Sequence, residues 1–220
     1  MNGWEIIQVT IPELLKGMKI TLEIFGVTLL LAIPLGFLVS LLRISKIKAV
    51  QWLTAAYIWV LRGTPLMLQL FFVYYGLPYI SIFGMKLAFD PLPATLIAFV
   101  LNYSAYFAEI FRSGIESIDR GQYEGAKALG LSSWQTMRTI IVPQMVRVVL
   151  PPVSNETITL VKDTALASTL ALVEMMRAAQ LKVSTTASAV PFLGAAVFYL
   201  LLTLVLTIIF SRLEKAVCKY

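Results

Sequence analysis

The sequence predicts an all-α integral membrane protein, a single domain over residues 1–220 with about five transmembrane helices and a cytoplasmic helical hairpin. Three observations carry that prediction. The chain is 59% hydrophobic and only 14% charged, where soluble domains hold about 25% charged residues. Its mean hydropathy is +0.83. Apolar runs such as Ile24–Leu42 match the ~20 residues that cross ~30 Å of hydrocarbon as a helix. Histidine is absent and Cys218 is the one cysteine, which excludes His-based metal sites, His proton relays and an internal disulfide. In such a chain the net charge of +6 speaks of orientation, not of nucleic acid.

Residues 1–16 alternate apolar and polar, with Trp4 suited to an interface and Pro12 able to begin a helix, so an amphipathic lead-in is expected. Glu5 and Glu13 stand where a cleavable signal would carry basic residues, so none is expected. The first span covers roughly 18–42, with a kink expected at Pro34 and Gly36. The second covers roughly 50–77 and is interrupted at Arg62-Gly63-Thr64-Pro65. A charge beside a broken helix suits a polar cavity in which loose backbone groups coordinate a solute. The less favoured alternative is that Arg62 snorkels at an interface. Residues 78–92 form a loop marked by Pro78, Gly84, Lys86, Asp90 and Pro91.

The third span covers roughly 92–113. Asn102, Tyr106 and Glu109 share one of its faces, with Tyr103 alongside, and that face should point inward. Glu109, Arg112 and Glu116 form i+3 and i+4 pairs where the helix leaves the membrane. The fourth span, roughly 144–171, is expected to be interrupted early by Arg147, Pro151 and Pro152. Asn155, Glu156, Thr157, Lys162 and Asp163 make it the most polar span. Such side chains cannot all face lipid. They form either a buried charge network or a set of solute contacts. Residues 172–188 read as an interfacial helix on the outer side, and the last span, roughly 190–211, is free of charge.

Basic residues assign the sides. Arg43, Lys46, Lys48, Arg112, Arg120, Lys127, Arg138, Arg212, Lys215 and Lys219 gather on one side; Lys16, Lys86, Arg177 and Lys182 lie on the other. The N-terminus is therefore expected outside and the C-terminus in the cytoplasm.

The hairpin, residues 114–143, is the polar interlude between the third and fourth spans. Good helix formers at Ala126–Leu129 end at Gly130, and Ser132 and Ser133 offer N-caps for a second helix carrying Trp134 and Met137. Pro143 makes a rigid exit into the fourth span. The hairpin is either a docking surface or an ordinary loop. Here the chain resembles a family. Glu124-Gly125-Ala126, Gly130, Ile140 and Pro143 are similar to the coupling-helix signature of membrane subunits of ABC importers, with Gly125 and Val142 departing from its alanine and leucine. Arg62-Gly63-Thr64-Pro65-Leu66, Ser104–Ile115 and Asn155–Ser168 resemble the polar amino acid permease branch.

The resemblance implies the type I importer permease fold in a bacterial-type cell membrane. It implies docking of two ATPase subunits, which bind ATP and magnesium, onto Glu124, Gly125, Ala126, Gly130 and Pro143. It also implies an external solute-binding protein and a second permease, an identical copy or a paralogue. The chain itself has no P-loop and no cofactor is expected in it. A polar amino acid is the expected cargo, with Arg62, Thr64, Asn102, Tyr103, Asn155, Glu156, Thr157, Lys162 and Asp163 as pathway residues. Glu156 inclines the choice toward a basic amino acid such as arginine, against glutamine or another neutral one. An ion-coupled carrier using Glu109, Glu156 and Asp163, and a channel or scaffold subunit, remain as alternatives from other classes.

Overall fold

A computed structural model describes residues 2–82 and 85–217; Gly84, Cys218 and Lys219, named above, lie outside the described residues. The architecture is helical throughout, apart from a two-residue antiparallel pairing of β1 (Ser81–Ile82) with β2 (Met85–Lys86). Helix α1 runs unbroken over Gly3–Arg43. Asn2 caps it in a reciprocal capping box with Glu5, and Arg43 complements the dipole of its last turn. The expected separation into a lead-in that starts at Pro12 and a later span does not occur: Pro12 and Pro34 both sit inside one helix. At 1.5 Å per residue α1 is ~60 Å long, about twice the hydrocarbon thickness.

Helix α2 (Lys48–Gly63) and α3 (Leu66–Phe71) are bent by 106° at the predicted break. After α3 come a π turn (Phe72–Gly76) and a short 3-10 turn (Leu77–Tyr79). Helix α4 is Pro91–Glu116. The hairpin holds α5 (Arg120–Ala128) and α6 (Ser133–Thr136), and a second π turn (Met137–Ile141) leads directly into α7 (Val142–Asp163). Both π turns end one residue short of a proline. The Leu77 N–H bonds the Phe72 carbonyl and the Val142 N–H bonds that of Met137, just ahead of Pro78 and Pro143, which have no N–H. Pro143 therefore lies within a continuous helical path, not at a break. Pro151 and Pro152 likewise sit inside α7, which corrects the expected interruption. Each proline lacks the N–H that would bond the carbonyl four residues back, a loss that membrane helices tolerate. Helix α7 gives way to a 3-10 turn (Thr164–Leu170) that ends at left-handed Ala171. Helices α8 (Met175–Thr186) and α9 (Val190–Val217) complete the chain.

Among the described residues, α1, α4 and α9 are long and apolar enough to cross a membrane, and the bent α2–α3 pair makes a fourth. Helix α7, which carries Arg147, Glu156, Lys162 and Asp163 among prolines and other polar residues, is not apolar enough to join them. Much of the apolar surface faces outward. On α9, Leu193, Leu200, Leu201 and Leu204 are all more than half exposed. Water would disfavour such a face, and lipid does not.

The core forms where α1 crosses α4. One stripe of α1 is buried at Gly17, Thr21, Ile24, Thr28, Ala32 and Gly36, mostly small residues three or four apart. A Cβ on Gly36 would fall 2.7 Å from the Phe107 Cβ and 2.9 Å from the Ser104 carbonyl, so only glycine permits this approach. Phe99, Tyr103 and Phe107 of α4 add aromatic mass to the same core.

Candidate functional site

The bend between α2 and α3 leaves carbonyls without helical partners. Two amide side chains take them up. Gln69 Nε2 donates to the Leu61 carbonyl at 2.8 Å, the Thr64 carbonyl at 3.1 Å and Thr64 Oγ1 at 2.9 Å. Asn102 Nδ2, from α4, donates to the same Leu61 carbonyl and to Gln69 Oε1, each at 3.0 Å. Tyr57 Oη bonds the Leu101 carbonyl at 2.8 Å and pins α2 against α4 one turn earlier. The broken helix is thus a fixed shape stapled to α4, because each freed backbone acceptor would otherwise remain unpaired in a dry setting.

Beside the staple lies a cavity of about 540 Å³. Of the nine residues the sequence nominates, six line it: Arg62, Thr64, Asn102, Tyr103, Glu156 and Asp163. Tyr106, Thr159 and Leu166 share its wall. The Arg62 guanidinium sits over the Tyr106 ring at 5.2 Å from the centroid. Tyr103, almost fully buried, donates its hydroxyl to Asp163 Oδ2 at 2.7 Å. One cation and two carboxylates therefore share a recess with hydroxyl donors and a broken helix. That set can grip a carboxylate at one end and a cation at the other.

The remaining three nominees lie elsewhere. Asn155 is exposed and lines a neighbouring cavity of about 670 Å³, which also includes Arg62, Tyr106 and Glu156 and reaches Ser117 at the end of α4. Thr157 is buried with its hydroxyl spent on the Val153 carbonyl at 2.8 Å. Lys162 points to a third recess between α7, α8 and α9. It thus diverges from Asp163, as adjacent helical residues must. Glu109 is held by Arg112, which also reaches Glu116, at the end of α4.

Two polar residues that matter here escape the sequence-based nomination. Gln69 is one; its lone amide in an apolar run, five residues past Thr64, is the signal. Glu174 is the other. It is fully buried, caps α8 by accepting the backbone N–H groups of Met176 at 2.8 Å and Arg177 at 2.7 Å, and accepts the Tyr199 hydroxyl at 2.9 Å.

The hairpin is built by local rules. Asp119 caps α5 at the Gly121 N–H. At the other end Gly130 is left-handed at φ +73°, its N–H bonds the Lys127 carbonyl and the Leu131 N–H bonds that of Ala126, both at 3.0 Å. That is a Schellman stop. Ser132 and Gln135 then form a capping box for α6. Glu124 and Gly125 are exposed, and a Cβ on Gly125 would meet nothing within 4 Å. Ala126 turns inward and is 2% exposed, so its small size serves packing within the chain. Burial raises the Tyr123 phenol above its ordinary pKa, and its hydroxyl ties α5 back to the Ile115 carbonyl. Leu129 is 80% and Trp134 68% exposed, an apolar pair at the tip of a polar hairpin.

The chain has relatives among known proteins over most of its length. Residues 32–219 match the family described as binding-protein-dependent transport system inner membrane component. The arginine transport system permease protein ArtQ of Bacillus subtilis (strain 168) is 38% identical over 206 residues, 93% of this chain and 92% of that one. The glutamine transport system permease protein GlnP of Escherichia coli (strain K12) is 37% identical over 213 residues, 96% of each. A crystal structure of an amino acid ABC transporter with histidines superposes with a TM-score of 0.88 at 32% identity, covering 98% of this chain and 99% of that one.

Proposed function

The chain belongs to the binding-protein-dependent transport system inner membrane components, and from that premise we propose that it carries a basic amino acid, arginine in the first instance, across the membrane. It is the membrane-spanning subunit of an ABC amino-acid importer and has no ATPase site of its own. ATP and magnesium belong to two partner ATPase subunits, and an external solute-binding protein delivers the cargo. A second permease, most simply an identical copy, closes the pathway about a two-fold axis. The basic side assignment puts the N-terminus outside and both hairpin and C-terminus in the cytoplasm. The family lends nothing to an ion-coupled carrier.

One observation carries the choice of cargo. The cavity beside the broken helix holds one guanidinium, Arg62, and two carboxylates, Glu156 and Asp163. An arginine or lysine brings one carboxylate and two cations, the complementary set. Arg62 then receives the cargo carboxylate, and Glu156 and Asp163 receive its ammonium and its charged side chain, with Tyr103 orienting Asp163. Thr64 and Asn102 shape the recess through the staple. Asn155 lines the adjoining recess, on the way to the cytoplasmic end of α4. Thr157 and Lys162 act as structural members of α7.

The ATPases engage the hairpin. Glu124 pairs with a basic partner residue, and Gly125 allows close approach where this chain's own packing requires no glycine. Leu129 and Trp134 supply the apolar part of the contact. Gly130 fixes the corner, and the continuous path through Pro143 into α7 transmits movement to Glu156 and Asp163 on the same helix. ATP-driven closure of the partners moves the hairpins and alternates access, the docked hairpin being the two-state element that both sites bias.

The test is Glu156→Gln in vesicles with the partner subunits, with labelled arginine and labelled glutamine as cargo. Arginine uptake should fall at least tenfold while glutamine uptake stays within a factor of two. Equal loss for both, or loss for neither, removes Glu156 from cargo recognition.

A further inference from the structure

Arg62 also lines a separate cavity of about 380 Å³ to which α7 contributes nothing. Its walls come from the end of α1, the second half of α2 and the last turns of α4. Three guanidiniums, Arg43, Arg62 and Arg112, face it against a single carboxylate, Glu109. That carboxylate is already taken. Arg112 Nε donates to Glu109 Oε2 at 2.9 Å, a second Arg112 nitrogen meets Oε1, and the same side chain reaches Glu116. Among the described residues, neither Arg43 nor Arg62 has an ion-pair partner. Arg62 stacks on Tyr106 and also faces the neighbouring recess, but with Glu109 held by Arg112 this cavity keeps more guanidiniums than carboxylates and suits an anion with several acceptor oxygens.

The rest of the surroundings says which kind of anion. The recess is completed by Ala55, Ile58 and Trp59, all apolar. Trp52 and Trp59, seven residues apart on one face of α2, are 73% and 77% exposed. A small soluble anion has no use for that face, whereas an amphiphile does. Arg43 ends α1 and Arg112 is in the last turns of α4, both on the basic side of the chain. Basic recesses between helices on the cytoplasmic side suit anionic headgroups, and exposed tryptophans suit a membrane interface.

We propose that this cavity binds an anionic phospholipid of the cytoplasmic leaflet, its phosphate held between Arg43 and Arg62 and its acyl chains lying along the α2 face marked by Trp52 and Trp59. The assignment rests on the proposed orientation, and it shares Arg62 with the proposed cargo recess. Because Arg62 lines both cavities, a bound phosphate draws its guanidinium toward α1 and couples the lipid to the neighbouring recess.

The experiment uses the full complex in a mild detergent, with phosphatidylglycerol or phosphatidylcholine titrated in and bound lipid counted by native mass spectrometry. Wild type should prefer phosphatidylglycerol by at least tenfold. Arg43→Gln should lose most of that preference, about a tenfold weakening for one charge-assisted contact removed. Lys46→Gln removes the same charge three residues away, outside the cavity lining, and should keep the preference. If Arg43→Gln fails to assemble, Arg43→Lys decides: it keeps the charge but loses the fork, and should fall between the two. No preference in the wild type, or equal losses for Arg43→Gln and Lys46→Gln, overturns the site. A third arm adds inorganic phosphate at millimolar concentration. Full displacement of phosphatidylglycerol by it shows a free-anion site and overturns the lipid assignment.

Discussion

Removing Gln69 tests whether the broken helix is a built feature. In Gln69→Leu the side chain keeps its volume but loses its amide. Thr64 forfeits the donor to its carbonyl and its hydroxyl, and Asn102 forfeits one of its two acceptors. The Leu61 carbonyl keeps Asn102. An orphaned buried polar group costs about 1–3 kcal/mol, so the single change should destabilise by about 2–4 kcal/mol. Asn102→Leu should cost a similar amount, since it removes the tether to α4. The two are coupled by their mutual 3.0 Å bond. In membrane bundles such a bond contributes about 0.6 kcal/mol and at most about 1.7. The double variant should therefore be less damaging than the sum of the singles by about 1 kcal/mol. The assay is detergent unfolding followed by circular dichroism, on each single variant and the double. Uptake should fall in both singles, because Arg62 and Thr64 leave their positions once the bend relaxes. Wild-type stability in Gln69→Leu, or strict additivity in the cycle, refutes the staple.

Three further predictions use other parts of the chain. Gly130→Ala meets no steric obstacle but must hold φ +73°, which costs a non-glycine residue about 1–2 kcal/mol; Gly130→Asn should lose less, and co-purification of the ATPase should follow that order. Gly36→Val forces a Cβ against the Phe107 Cβ and the Ser104 carbonyl, so it should destabilise by at least about 1–3 kcal/mol, visible as a lower thermal midpoint of the solubilised chain. Glu174→Ala removes both the α8 cap and the partner of Tyr199, about 2–3 kcal/mol together, while Tyr199→Phe removes about 1; the opening free energy read from hydrogen exchange over Met175–Thr186 should fall by about those amounts.

How much of the structure is legible in the sequence depends on how local the cause is. The break after Arg62 is legible because Gly63 and Pro65 act on their own backbone. The Gly130 corner and the Ser132 cap are legible for the same reason, each being complete within six residues. Six of nine nominated pathway residues share one cavity: Asn102 and Tyr103 from α4 meet Glu156 and Asp163 from α7, and the break after α2 adds Arg62 and Thr64. The misses are tertiary. Pro151 and Pro152 read as breakers, yet α7 passes through them, as membrane helices can. Pro12 reads as a helix start, yet Asn2 and Glu5 begin the helix nine residues earlier and hydrophobic packing carries it onward. Gln69 and Glu174 have local partners too, but the contacts that tie them to other helices are not local. Their partners lie 33 residues away at Asn102 and 25 residues away at Tyr199, where only the fold can bring them.

The central claim, an importer driven by a partner ATPase through the hairpin, is met most directly by uptake into vesicles holding this chain and its co-purified ATPase. Labelled arginine and glutamine would be offered with the solute-binding protein, with and without ATP, and with Glu124→Arg as the coupling control. The account predicts uptake only with ATP, arginine ahead of glutamine, and loss of both ATPase retention and uptake in Glu124→Arg. Uptake that tracks an ion gradient without ATP, or a Glu124→Arg complex that still holds its ATPase and transports normally, contradicts it.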